Sequence, residues 1–182
     1  MKRLPIVFAI LFGLNCLNYL NAQDKHAFKY KHEINVLSCG VAATNQEDPL
    51  MGLEYLSGYS QRIGNTRWRW GVSSGILGFI MDYEEATEDE FLGSSYVYLL
   101  GYTDYALTSG KHTAFFLRGG IAPCLQVDKW TLHGEWKASA LAQLGIGLDV
   151  GRWGRVALIG FTSIYGDMGY QITYSFGWRW GK

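Results

Sequence analysis

The chain of 182 residues lacks the long apolar runs with which helices cross a membrane. A spanning helix takes about 17 to 25 predominantly apolar residues. Beyond the N-terminal segment no run of that length occurs. Proline is scarce as well, with 3 residues, whereas glycine (23) and the aromatic residues (15%) are abundant. This composition excludes a helical membrane protein and suits pleated, half-buried strands.

The chain also lacks an excess of charge of either sign, with 16 basic and 16 acidic residues. Removal of Lys2 and Arg3 with the N-terminal segment would leave it slightly acidic. Proteins that bind nucleic acid present basic surfaces to the phosphates. Nucleic acid is therefore not an expected partner.

The first 22 residues have the three-part pattern of a secretory signal peptide. Lys2 and Arg3 precede an apolar stretch over 4–14, and a polar stretch ends in Asn21-Ala22-Gln23. We predict a signal peptide over 1–22 and one domain over 23–182. A lipid anchor on Cys16 is the alternative, but Gly13-Leu14-Asn15 does not place a small residue before that cysteine.

Uncharged stretches recur through the rest of the chain at a shorter length. They cover 70–81, 91–103, 138–148, 156–166 and 168–178. A tilted membrane strand needs about 9 to 11 residues. Over 170–180 every second residue is a bulky apolar one, with Gln, Thr, Ser, Gly or Arg between, and 136–150 repeats the pattern with Leu141 as the exception. Such a period of two indicates strands.

Extending this pattern predicts eight antiparallel strands in an up-and-down barrel, over 27–39, 51–61, 66–80, 95–107, 113–125, 136–150, 155–165 and 170–181. The connections after strands one, three and five are long, and those after two, four and six are short. Outer-membrane barrels have this asymmetry, with short periplasmic turns and long outer loops. The expected fold class is thus all-β, an eight-stranded transmembrane barrel.

A water-soluble barrel of the lipocalin type is the structural alternative. Such a barrel would bury the face of each strand that carries the aromatic residues and expose the face that carries the charges. Each strand has too many bulky apolar residues for its outer face to be in contact with water. A barrel with its apolar face towards lipid and its charges paired inside has a lower free-energy cost than the water-soluble alternative. The predicted inward-facing charge network is Lys31, Glu33, Glu54, Arg67, Arg69, Arg118, Lys137, Asp149 and Arg179.

Aromatic residues are expected in two belts at the membrane interfaces. The predicted periplasmic belt contains Phe28, Tyr30, Tyr59, Trp68, Trp70, Tyr102, Trp178 and Trp180, and the outer belt contains Trp136, Tyr165 and Tyr170. On these features the chain resembles the small OmpA/OmpX-type outer-membrane barrels, and its signal is similar to those of Bacteroidetes exports. The resemblance implies an outer-membrane location with both termini in the periplasm, and contact with lipid, lipopolysaccharide and other envelope proteins.

An eight-stranded barrel has room inside for little more than side chains. We therefore expect a plugged lumen and a non-enzymatic protein with a structural, anchoring or partner-binding role. A narrow pore and a lipid-modifying enzyme are the alternatives. The lipid A deacylases of this size use a His and a Ser two residues apart near the last strand. Here His133, Ser163 and Ser175 form no such pair.

No cofactor or dedicated metal site is predicted. The segment 82–90 has six acids, but it lacks the residue order of a calcium-binding loop. Cys39 and Cys124 lie on strands one and five, which face each other across the barrel. We expect both to point inward as free thiols, because their Cα atoms would be farther apart than the ~7 Å that a disulfide spans.

Overall fold

The structure, a computed structural model, describes residues 28–44, 51–80, 93–108, 113–127, 136–166 and 168–181. The strands in chain order are β1 (His32–Thr44), β2 (Met51–Arg62), β3 (Trp68–Ile80), β4 (Gly93–Ala106), β5 (Ala114–Val127), β6 (Trp136–Asp149), β7 (Arg155–Ser163) and β8 (Met168–Trp180). Each strand pairs antiparallel with the next, and β8 pairs with β1 to close the barrel. The predicted eight-stranded up-and-down barrel is confirmed.

Side chains alternate between the interior and the outer wall because successive residues of a strand point to opposite faces. In β7 every odd-numbered residue is buried and every even-numbered one is exposed.

Among the described residues, no helix has the length and apolarity to cross a membrane.

The barrel has two different ends. One carries the start of β1, the end of β8 and the connections β2–β3, β4–β5 and β6–β7. We call this the terminal end and the opposite one the loop end. Most of the loop-end connections, including the acidic segment 82–90 and His133, lie outside the described residues.

Strand β1 begins five residues later than predicted and contains a bulge. The register against both neighbouring strands shifts after Asn35, so that Val36 and Leu37 both face outward. Such a bulge inverts the face on which later residues point. Cys39 is therefore exposed, and its predicted inward orientation is wrong, whereas Cys124 is buried. Both thiols are free.

The backbone of Gly177 passes so close to β1 at this bulge that no side chain fits. A Cβ atom placed there would lie 1.9 Å from the carbonyl oxygen of Ile34. Gly160 on the outer wall is the matched control, because its nearest atom would be 3.7 Å away, an ordinary contact.

We expect Gly177→Ala to lower the free energy of unfolding by about 1 to 3 kcal/mol, because β1 or β8 must move. Gly160→Ala should change it by less than about 1 kcal/mol. Urea unfolding in detergent micelles, followed by tryptophan fluorescence, measures both. Equal midpoints for the two variants would contradict the close approach at the bulge.

Candidate functional site in the barrel interior

All four acids in the described part of the chain are buried in the interior. They are Glu33, Glu54, Asp104 and Asp149. The exposed lysines and arginines of the same part are Lys29, Lys31, Lys137 and Arg152, which lie at or beyond the ends of strands. Buried charges are stable only when paired and hydrogen-bonded. The candidate site is therefore defined by the buried acids and by the side chains that pair with them inside the barrel.

Three of these acids form one network with arginines in the terminal half of the barrel. Glu33 is central: its carboxylate oxygens lie 2.6 Å from Arg155, 3.3 Å from Arg69 and 3.1 Å from Arg179. The side chain of Glu33 is fully buried. We call this network the charge cluster, with members Glu33, Arg69, Asp104, Arg118, Asp149, Arg155 and Arg179.

The other two acids complete the pairing. Arg118 donates two hydrogen bonds to Asp104, of 2.7 and 2.9 Å, and Arg155 donates a third of 2.8 Å. Asp149 lies 3.2 Å from Arg69 and 2.9 Å from Arg179. Each carboxylate is thus shared by two or three guanidinium groups. Charge-assisted bonds of this kind are the stronger ones in proteins, and they fix the geometry of both partners.

Aromatic rings cover two of the guanidinium groups. The cluster has four arginines and three acids. Arg69 lies over the ring of Phe28 at 4.2 Å, and Arg118 lies over the ring of Tyr102 at 4.1 Å. The negative face of an aromatic ring attracts a cation, most strongly where water is excluded. The rings therefore help to stabilise the excess positive charge.

The segment before β1 folds under the barrel and occupies the mouth at the terminal end. Phe28 is predicted in the periplasmic belt, and that prediction is wrong: it is fully buried, with its ring 6.3 Å from that of Phe116. Its carbonyl oxygen accepts a hydrogen bond of 2.6 Å from Arg62. The backbone amide of Lys31 donates to the carbonyl of Gly181 at 2.7 Å. These contacts hold the segment against β2, β5 and the residue that follows β8, and they explain why β1 begins later than predicted.

The middle and the loop half of the interior have a different character. The hydroxyl of Tyr98 donates a hydrogen bond to the carboxylate of Glu54. The other buried residues of this part are uncharged: apolar ones include Leu56, Leu77, Phe79, Tyr96, Leu100, Ala122, Leu141 and Phe161, and polar ones include Ser95, Gln126, Gln143, Ser163 and Gln171. Among the described residues the interior is thus charged towards the terminal end, and uncharged with a mixture of apolar and polar side chains towards the loop end.

The structure brings five of the nine predicted network residues into the charge cluster, namely Glu33, Arg69, Arg118, Asp149 and Arg179. Glu54 lies apart from the cluster with Tyr98, and Arg67 donates a hydrogen bond of 3.1 Å to the carbonyl of Leu107.

Two predicted members do not join the interior network. Lys31 precedes β1, and Lys137 is the second residue of β6. Both side chains are exposed. Long lysine side chains at the end of a strand extend their amines into water, even where the strand pattern points inward.

Two members of the cluster, Asp104 and Arg155, were not predicted. The signal that could have identified Asp104 is its position two residues after Tyr102 on the same face of β4. Tyr102 was assigned to the periplasmic belt, and that assignment is wrong, because its side chain is buried inside the barrel. Its ring lies against Gly71 of β3, where the absence of a side chain leaves room for it.

The predicted belt residues other than Tyr102 and Phe28 lie on or beside the outer wall. Towards the terminal end are Tyr59, Trp68, Trp70, Trp178 and Trp180, with the half-buried Tyr30 at the mouth, and towards the loop end are Trp136, Tyr165 and Tyr170. His32 joins the first group: its ring stacks on Trp180 at 5.3 Å, and its Nδ1 lies 2.6 Å from the hydroxyl of Tyr59.

The enzyme alternative gains no site within the described residues. Ser163 is buried, and its hydroxyl oxygen accepts a hydrogen bond of 3.2 Å from the amide of Tyr165. In the same residues no three His, Cys, Asp or Glu side chains are grouped so that they could hold a metal ion. The only histidine in this part of the chain is His32, on the outer wall.

Comparison with known proteins returned no matching family model, no similar curated protein and no similar solved structure.

Proposed function

We propose that this protein is an outer-membrane β-barrel without enzymatic activity, whose lumen is filled by side chains. It would serve a structural, anchoring or partner-binding role in the envelope of a Gram-negative bacterium. In this proposal the terminal end faces the periplasm. The outer wall contacts lipid and lipopolysaccharide, and the loop end is available to other envelope proteins.

One observation carries the location: between its ends, the described outer wall has no charged side chain while the interior has many. Every described acid lies inside. The outer wall instead presents large apolar side chains from all eight strands, among them Val41, Leu53, Ile76, Leu99, Ile121, Leu144, Leu158 and Ile172.

A wall of this kind favours lipid over water as its surroundings. Monomeric soluble proteins rarely expose a continuous apolar patch larger than a few hundred Å². Lipid stabilises apolar side chains, and it tolerates a closed barrel because every strand is paired and no edge remains. The strands have 9 to 14 residues, enough for a tilted crossing of the bilayer.

The packed interior supports an anchoring role over a channel. Paired arginines and acids occupy the terminal half, and Phe28 occupies the mouth. In a barrel of eight strands these side chains take up the width that a channel would need.

Expression in a Gram-negative host, membrane fractionation and gel migration test this proposal. We expect the protein in the outer-membrane fraction, and we expect unboiled and boiled samples to migrate differently, because a closed barrel resists detergent until it is heated. The wild-type protein should give no steps of conductance in a planar bilayer. Recovery in the soluble fraction would refute the location, and regular conductance steps would favour the narrow-pore alternative.

A further inference from the structure

We propose that the terminal end of the barrel binds anionic lipid headgroups through an arc of exposed cations, Lys29, Lys31 and Arg152. We call these three residues the basic rim. The inference rests on the proposed function, because it names the class of lipid that this end of the barrel would contact in the membrane.

The basic rim follows one side of the barrel mouth. Arg152 lies in the turn between β6 and β7, and the two lysines lie in the segment before β1. Strand β8 runs between β7 and β1, so its last residues separate Arg152 from the lysines. Lys31 lies against Gly181, where an added Cβ atom would be 3.0 Å from the Cβ of Lys31. All three side chains of the rim are exposed, so a ligand can reach them from outside.

Aromatic side chains lie on the outer wall within the same arc. Trp178 and Trp180 are exposed at the end of β8, and Trp153 is exposed next to Arg152. The guanidinium group of Arg152 lies 4.8 Å from the centre of the Trp153 ring. Tryptophan rings collect at the level of lipid headgroups, because they have an apolar body and a polar edge. Cations beside such rings fit a molecule that has an anionic group on an apolar body.

No acid in the described part of the chain offsets the positive charge of the rim, because all four of its acids are buried in the interior. Two further arginines near this end bond to backbone carbonyls. Arg62 donates to Phe28 and Gly64, and Arg67 donates to Leu107. Charges of one sign beside a low-dielectric wall produce a field that attracts the opposite charge. The terminal end should therefore attract anions.

The apolar neighbours of the rim favour a lipid over other anions. A dissolved anion gains nothing from the tryptophan rings, and an acidic protein surface would leave the apolar wall beside the rim uncovered. A lipid has acyl chains that cover the rings while its phosphate meets the cations. Lysine and arginine side chains are long enough to extend from an apolar surface to the headgroups. Each basic residue near an anionic membrane surface adds to the attraction.

Electron spin resonance of labelled lipids tests the inference. The full chain is refolded in phosphatidylcholine vesicles with a small fraction of spin-labelled phosphatidylglycerol or, in a parallel sample, spin-labelled phosphatidylcholine. Lipids in contact with the barrel move slowly, and the slow fraction of each label gives its relative affinity. We expect about a twofold preference for phosphatidylglycerol at low salt, averaged over all lipids in contact with the barrel.

The variant K29Q/K31Q/R152Q should bind the two labelled lipids almost equally. It should fold, because the three side chains are exposed and the backbone contact of Lys31 with Gly181 remains. Lys137→Gln is the control: Lys137 is exposed at the loop end, so its loss should leave the preference unchanged.

The outcomes separate this inference from the proposed membrane location. Equal slow fractions of the two labels in the wild-type protein would overturn the inference and leave the location intact. Absence of slow lipid with either label would refute the location itself. A preference that persists in K29Q/K31Q/R152Q would overturn the inference, because the rim would not be its source.

Inorganic phosphate tests the dissolved anion as the alternative ligand. At equal ionic strength, sodium phosphate and sodium chloride should weaken the preference for phosphatidylglycerol equally, because both act only by screening. A stronger effect of phosphate would show that the rim binds the free anion, and it would overturn the lipid headgroup as the ligand.

Discussion

Replacing Glu33 by alanine should destabilise the barrel by about 3 to 5 kcal/mol, which is the usual cost of removing one partner from a buried ion pair. Glu33 is the carboxylate shared by Arg69, Arg155 and Arg179. Without it, four buried arginines would share two acids. We expect a large fall in the urea midpoint of the refolded protein, and loss of the band that migrates differently before boiling.

Arg152→Ala is the matched control, because it removes a charge from an exposed turn and should cost less than about 0.5 kcal/mol. The double variant E33A/R179A refines the test. It removes one of the guanidinium groups that E33A leaves unpaired, so it should lose less stability than the two single variants together. Additive losses, or an E33A midpoint close to that of the wild type, would show that the cluster does not act as one network.

Placing an arginine on the outer wall at mid-height should destabilise the barrel in lipid. Ile121 lies near the middle of β5 and is 68% exposed. We expect Ile121→Arg to cost about 2 to 4 kcal/mol in phospholipid vesicles, because the guanidinium group would lie near the bilayer midplane. Reversible unfolding of the vesicle-bound protein in guanidinium chloride measures this.

The control for Ile121→Arg is Met168→Arg, at the first residue of β8. That side chain is also exposed, but it lies at a strand end, where an arginine should cost about 1 kcal/mol or less. If water surrounded the wall, both substitutions would be tolerated, and Ile121→Arg would make the protein more soluble. The difference between the two positions therefore tests the lipid environment, whereas Glu33→Ala tests the interior.

Most of the architecture can be predicted from the sequence. Because side chains alternate along a strand, deciding which face one residue occupies fixes the faces of all the others in that strand. In β8 the row from Tyr170 to Trp180 faces outward along its full length, as the strict alternation indicates. The assignment of residues to the inner or outer face was wrong in β4, where the ring of Tyr102 lies inside the barrel. Bulkiness alone cannot distinguish a ring that faces lipid from one that fills the space above a glycine of the neighbouring strand, as Tyr102 does above Gly71.

The sequence predicts less of the interior site than of the fold. Alternation indicates which charges point inward, but it says nothing about which of them meet. The pairing of Arg155 with Asp104, 51 residues apart, depends on the stagger between strands around the closed wall. The bulge in β1 had no recognisable signal either, since Val36 and Leu37 both suit the outer wall. Only the pairing of β1 with its neighbouring strands shows that the bulge turns Cys39 outward.

The position of Phe28 constrains the order in which the molecule is assembled. Its carbonyl and ring contact Arg62 at the end of β2, Arg69 in β3 and Phe116 in β5. The complete set of these contacts exists only when β2, β3 and β5 surround the mouth, so the mouth cannot close before that part of the wall has formed. The earliest-synthesised residue in the described part of the chain is thus among the last to reach its final place.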